Sequence, residues 1–193
     1  MALCDWYLRR YGAGPTADEI CLTIGASQAF WLAMMTLCQA GDEVVVQLPA
    51  YFDHPMALQA MGVHCVWAPF REETRGLPDV EAIAARITSR TRAILLVSPS
   101  NPTGAVTPPE ILKQLFELAR QHDICLVVDE TYNAFLPVGQ PPHALFSLPG
   151  WQDHFIHIAS FGKTFSLTGF RAGALVAGPE VIAQALNVQD TMA

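Results

Sequence analysis

Seven short, almost continuously apolar runs limit the folds open to this chain, and they lie at residues 19–24, 43–48, 63–67, 92–97, 124–128, 155–159 and 172–177. They show little alternation of apolar and polar side chains, which is typical of strands buried on both faces in a mainly parallel sheet. Segments with helical periodicity separate most of the runs, at residues 27–39, 53–61, 79–87, 108–121 and 179–188. Strands that alternate with helices predict an α/β protein with three layers, α/β/α.

Composition restricts the function classes. The 193 residues are 51% hydrophobic, enough for one domain that spans 1–193. A net charge of -7 without a basic run argues against nucleic-acid binding, and no apolar stretch approaches the roughly 20 residues of a membrane span. Arg9 and Arg10 interrupt any secretory signal, and five scattered cysteines suit reduced thiols, so we expect a cytoplasmic protein. The six histidines form no recognisable metal-ligand pattern, so no metal site is predicted.

The residues that directly follow the predicted strands are the candidates for chemistry. In open α/β sheets, ligands bind beyond the carboxyl ends of the strands. Polar and aromatic residues occupy five of these positions, at 25–27, 49–51, 98–102, 129–132 and 160–163. A binding site is therefore predicted at one rim of the sheet. No glycine-rich dinucleotide fingerprint follows the first strand, which disfavours a generic nucleotide-binding domain.

Three segments at this rim carry a family resemblance. SPSNPTG (98–104), VVDETY (127–132) and SFGKTFSLTGFRAG (160–173) resemble, in order and spacing, the signature segments of the class I/II aminotransferases, which are fold-type I pyridoxal 5′-phosphate enzymes. The likeness runs from about Asp18 to Pro179. It implies the large domain of such a transferase, pyridoxal 5′-phosphate as cofactor, an amino acid and a 2-oxo acid as substrates, and a homodimer in the full-length form.

Lys163 and Asp129 would carry the central chemistry. Lys163 is a lone lysine in an uncharged loop rich in Gly and Phe, where a desolvated amine is available to condense with an aldehyde. The resemblance makes it the Schiff-base lysine and the general base; the alternative is an exposed loop lysine. Asp129 follows four apolar residues, which favours a buried, paired carboxylate over a surface one. The resemblance pairs it with the pyridine nitrogen of the cofactor.

The remaining candidates surround the same cofactor. Ala26 and Ser27 open a helix after a strand, so their N–H groups can bind an anion at the helix N-terminus; for Ser27 the alternative is simple N-capping. The resemblance implies further roles: phosphate binding by Ser160 and Arg171, stacking on the ring by Tyr51, and hydrogen bonds to O3′ from Asn101 and Tyr132. The alternatives are core packing for Tyr51, a turn for Asn101 and a core edge for Tyr132, while Phe52 replaces Tyr51 if the register differs by one.

Two departures from the family pattern qualify the functional hypothesis. Gly162 stands where the family commonly has a hydroxyl residue before the lysine. Family members are also roughly twice as long, and their partner-subunit tyrosine and the arginine that binds the substrate carboxylate fall outside this sequence. We therefore expect a truncated aminotransferase that binds cofactor weakly. A lyase or decarboxylase of the same fold, and a non-catalytic fragment that binds pyridoxal phosphate, remain the alternatives.

Overall fold

The computed structural model describes residues 2–192. The strands are β1 (Ile20–Ile24), β2 (Glu43–Gln47), β3 (His64–Ala68), β4 (Thr91–Val97), β5 (Cys125–Asp129), β6 (Phe155–Ser160) and β7 (Ala172–Val176). The helices are α1 (Ala2–Tyr11), α2 (Gly25–Leu37), α3 (Asp53–Ala60), α4 (Val80–Ala84), α5 (Pro109–Gln121), α6 (Trp151–His154), α7 (Phe161–Thr164) and α8 (Pro179–Asp190). Short 3₁₀ helices lie at Ala17–Glu19, Asn133–Phe135, Leu145–Ser147 and Thr168–Phe170. None of the helices in residues 2–192 has the length and apolar character that crossing a membrane requires.

The sheet brings the ends of all seven strands to a common rim. Its order is β1-β7-β6-β5-β4-β2-β3, and every neighbouring pair is parallel except the two that involve β7. Because β7 is antiparallel to both β1 and β6, β7 alone is reversed. The rim therefore gathers the carboxyl ends of six strands and the amino end of β7. This architecture confirms the three-layer, mainly parallel fold that the apolar runs predict.

Apolar side chains fill both faces of the sheet. Val44 and Val46 point into one layer, where they pack with α2, α3 and α8, whereas Val45 points into the other, with α1, α4, α5 and α6. Full burial of one such side chain contributes about 1.5–3 kcal/mol, which explains why these strands carry apolar residues at successive positions. Packing on both faces keeps the sheet rigid, and the sheet holds the rim residues in place.

The structure differs from the sequence-based prediction at some boundaries. Strand β5 ends at Asp129 and β6 ends at Ser160, so these two residues close strands instead of following them. The helix predicted at 79–87 is shorter, Val80–Ala84. Helix α1 was not predicted, because only Tyr7 and Tyr11 of its residues are buried. Two apolar positions make too narrow a stripe to reveal a helix, whose stability comes from packing on the sheet.

Candidate active site

A cleft of about 690 Å³ opens at the rim of the sheet. This volume lies within the range of roughly 300–1,000 Å³ found for small-molecule sites. The cleft is lined by every residue that the sequence singled out, namely Ala26, Ser27, Tyr51, Asn101, Asp129, Tyr132, Ser160, Lys163 and Arg171. Residues separated by up to 145 positions in the chain thus meet in one place, as the rule for carboxyl ends of strands requires.

Asp129 presents a buried carboxylate to the cleft. Its Oδ1 accepts hydrogen bonds from the backbone N–H (2.9 Å) and the hydroxyl (2.7 Å) of Thr131, and its Oδ2 lies 3.3 Å from Nε2 of His54. Burial raises the pKa of Asp129, but the hydrogen bond and charge of His54, with the bonds from Thr131, outweigh burial and lower the pKa below its usual value. A carboxylate has about four acceptor positions, so Oδ2 retains one for a cationic N–H donor in the cleft.

His54 is a residue of the site that the sequence reasoning missed. It is buried, stacks on Phe30 with ring centroids 4.2 Å apart, and meets Tyr51 edge to face at 5.3 Å. The sequence signals only that a buried carboxylate at position 129 must be paired. It does not show that the partner is His54, which lies at the start of α3.

Tyr51 and not Phe52 faces the cleft. The Tyr51 hydroxyl donates a hydrogen bond of 2.6 Å to Oδ2 of Asp53. This bond, together with burial and the charges of Asp53 and Asp129, raises the pKa of Tyr51 to about 12. The phenol therefore stays protonated and the ring is held in one orientation. Phe52 is 65% exposed and is not among the residues that line the cleft.

One end of the cleft is built to receive an anion. Ala26 and Ser27 belong to the first turn of α2, whose N–H groups lack acceptors within the helix. The Arg171 guanidinium packs against Gly25, where a Cβ would lie 2.5 Å from Nη2 and would displace the guanidinium. Arg171 donates to the carbonyl of Thr168 (3.3 Å) and has no carboxylate partner among residues 2–192. Its charge is thus available to a ligand.

Lys163 lines the cleft from α7, a helix of only four residues. The expectation that its amine is desolvated is wrong for this structure, because Lys163 is exposed. The apolar side chains near it in sequence do not shield it: Phe165 and Phe170 are themselves 56% and 79% exposed. Sequence alone could not reveal the exposure of Lys163, because aromatic neighbours in a loop exclude water from an amine only when they pack over it.

The lowered pKa of Asp129 predicts a pH-dependent contribution to stability. The unfolded carboxyl titrates near pH 3.9 and the folded one lower, so the contribution is present above about pH 4 and is lost as the pH falls through the folded pKa. We expect the difference in free energy of unfolding between the wild type and Asp129→Asn to shrink below pH 4, as measured by urea titration. A difference that stays constant from pH 7 to pH 3 would contradict this prediction.

Comparison with known proteins agrees with the geometry. The model of the family "Aminotransferase class I and II" matches residues 1–193. A probable aspartate/prephenate aminotransferase of Thermus aquaticus is 35% identical over 96% of the chain, and an arginine–pyruvate transaminase of Pseudomonas aeruginosa is 34% identical over 93%. The solved structure of an aspartate aminotransferase of Thermus thermophilus with maleate superposes with a TM-score of 0.90 at 33% identity and covers 98% of the chain. This chain belongs to the class I/II aminotransferase family.

The family match extends beyond the signature segments, but this chain is shorter than its relatives. It covers the whole sequence and so extends beyond residues 18–179, the interval of the likeness in the signature segments. The chain spans about half the length of the curated relatives it matches, 47% and 45% of the two named above, and 49% of the Thermus thermophilus structure. Membership of this family implies pyridoxal 5′-phosphate as cofactor.

Proposed function

We propose that this chain is the cofactor-binding portion of a pyridoxal-phosphate-dependent aminotransferase that moves an amino group from an amino acid to a 2-oxo acid. The observation that carries the proposal is the single cleft shared by Lys163, Asp129 and Arg171. An amine, a buried carboxylate and a free guanidinium match the aldehyde, the ring nitrogen and the phosphate of that cofactor. The residues present therefore fit the group.

Each residue has a separate task in this proposal. The bound cofactor supplies an aldehyde and an electron-withdrawing ring. Asp129, held by Thr131 and His54, keeps a proton on the ring nitrogen through its remaining acceptor position. Arg171, Ser160 and the N-terminus of α2 hold the phosphate. Lys163 would hold the cofactor covalently, and its amine would act as the general base for the proton on the substrate Cα.

Binding of the amino acid needs a group beyond this cleft. Among the described residues that line it, His54 is paired with Asp129, and the only lysine and arginine are Lys163 and Arg171. Both are assigned to the cofactor, so neither is free to pair with a substrate α-carboxylate. We propose that other parts of a homodimeric enzyme supply the cation that binds the substrate α-carboxylate. They would also supply the residues that shield Lys163 from water. On its own the chain is expected to bind the cofactor without turning over amino acids.

The proposal is tested by adding pyridoxal 5′-phosphate to the purified chain, reducing with borohydride and mapping the modified peptide. The chain contains two lysines, Lys113 on α5 and Lys163, so peptide mapping identifies which lysine carries the adduct. We expect a visible absorbance band and one pyridoxyl group, on Lys163. Addition of aspartate or arginine is expected to leave that band unchanged. Modification of Lys113 alone, or no modification, would count against the proposal.

A further inference from the structure

A second group of buried polar side chains lies behind the cleft, on the other face of the sheet. It consists of Glu130, His143, His157, Tyr7 and Tyr11, here named the Glu130 cluster, and each member is at most 2% exposed. The cleft residues assigned above do not include any of them. Because side chains alternate along a strand, Asp129 points towards the cleft while the next residue, Glu130, points into this cluster.

Side chains from three parts of the chain meet at one oxygen of Glu130. Oε2 accepts a hydrogen bond from the hydroxyl of Tyr11 on α1 and lies 2.9 Å from Nε2 of His157 on β6. Nε2 of His143 is 3.4 Å from the same oxygen, within ion-pair distance but without hydrogen-bond geometry. The other ring nitrogen of His157 lies 3.0 Å from the hydroxyl of Tyr7. One carboxylate thus joins α1, β6 and the segment before the 3₁₀ helix Leu145–Ser147.

The cluster also holds the turn that follows Asp129. The backbone N–H of Glu130 donates to the carbonyl of Ile158, and its carbonyl accepts from the N–H of Asn133, both at 3.0 Å. The side chain of Asn133 donates to the hydroxyl of Tyr11 at 2.6 Å. Both ends of the turn 130–133 are therefore fixed from behind. Between these ends lie Thr131, which binds Asp129, and Tyr132, which lines the cleft.

The protonation states in the Glu130 cluster favour directional hydrogen bonds, with a charged acceptor and protonated donors. Burial raises the pKa of Glu130, but the facing His143 and His157 outweigh burial and hold the pKa well below its usual range. Burial, followed by the charge of Glu130, raises the pKa of Tyr7 and Tyr11, which remain protonated donors. A buried charge gives little net stability compared with well-packed apolar residues. Its hydrogen bonds fix a geometry that apolar packing leaves adjustable.

We propose that the Glu130 cluster is a positioning device for the cleft, which holds the turn 130–133 so that Asp129 and Tyr132 keep their places on the opposite face. Glu130 acts through the backbone and does not touch the cofactor, so it is a positioning residue and not a catalytic one. The inference rests on the proposed function for the identity of the ligand. Its structural part, the holding of the turn, applies to the chain without cofactor as well.

The test compares Glu130→Gln with Glu43→Gln. Glu43 is also buried and paired, with Arg90 and Thr88, but it lies at the amino end of β2, which is the end opposite the cleft. In Glu130→Gln we expect hydrogen exchange of the amides at positions 130 and 133 to accelerate at least about tenfold without cofactor, the size of one lost charge-assisted hydrogen bond. The dissociation constant for pyridoxal 5′-phosphate should rise by a similar factor. Glu43→Gln should change neither quantity.

The outcomes separate the two proposals. If the wild type binds the cofactor and Glu130→Gln matches it in exchange and affinity, the positioning role is wrong while the proposed function stands. If the wild type fails to bind, the proposed function fails, and exchange at positions 130 and 133 still decides the positioning role. The positioning role would also be overturned if exchange and affinity changed equally in Glu130→Gln and Glu43→Gln, in proportion to their loss of global stability. Should Glu130→Gln not fold, Tyr11→Phe removes one donor at nearly constant volume and is expected to accelerate exchange at position 133.

Discussion

Replacement of Lys163 by alanine is expected to abolish both the visible band and the borohydride-fixed cofactor. Among the described residues that line the cleft, Lys163 carries the only amine that can form an imine with an aldehyde. Ser27, Ser160 and Arg171 remain in Lys163→Ala, so a weaker, non-covalent association with the cofactor should survive. The measurement is absorbance during titration with pyridoxal 5′-phosphate, followed by mass spectrometry of the reduced protein.

Two matched variants separate chemistry from charge. Lys113→Ala removes the other lysine, which is exposed on α5, and should leave the band and the adduct at wild-type levels. Lys163→Arg keeps a positive charge, but its guanidinium does not lose its proton in proteins, so it should lose the adduct as completely as Lys163→Ala. A fixed adduct that persists in Lys163→Ala would show that another amine holds the cofactor.

Replacement of Gly173 by alanine is expected to destabilise the protein by about 3 kcal/mol or more, at the upper end of the cost of overpacking. A Cβ at this position would lie 2.6 Å from the carbonyl carbon of Gly25, 2.7 Å from the carbonyl oxygen of Ala159 and 2.8 Å from the nitrogen of Ala26. All three are backbone atoms, so relief requires movement of the sheet or of α2. For a chain of this size, the loss corresponds to a decrease in Tm of about 6–12 °C.

The same substitution should weaken anion binding at the first turn of α2, because Ala26 is among the displaced residues. Gly169→Ala provides the matched control: it lies in the same segment, and a Cβ there meets no atom within 4 Å. Its Tm should stay within a few degrees of the wild type. Thermal unfolding and a phosphate titration of both variants measure the two effects. If Gly173→Ala has the same Tm as the wild type, the close approach of the α2 backbone to Gly173 does not require glycine.

The order of strands and helices was predictable because a strand that is buried on both faces has a recognisable local sequence. Runs such as residues 92–97 and 172–177 are apolar at successive positions wherever two helical layers cover a strand. The positions after those runs were predictable for the same reason, since the topology of a parallel sheet brings them to one rim. This is why Asp129, Asn101 and Lys163 could be assigned to one site without knowledge of the strand order.

Features that depend on distant contacts could not be read in this way. His54 acquires its role from Asp129, 75 positions later, and the pairing of Glu130 with Tyr11 joins residues 119 positions apart. The exposure of Lys163 depends on whether Phe165 and Phe170 pack over it, which composition does not determine.

The reversed strand β7 links correct assembly of the sheet to correct assembly of the anion site. Gly173 pairs with Thr23 on one side and Ser160 on the other, at the point where the backbone of α2 approaches most closely. A slip of β7 by one residue would put Ala172 or Ala174 at that point, and either methyl group would collide with α2. Arg171 can therefore reach the cleft only when the strand is correctly paired. A chain in which β7 is mispaired would therefore lose stability and the anion site together.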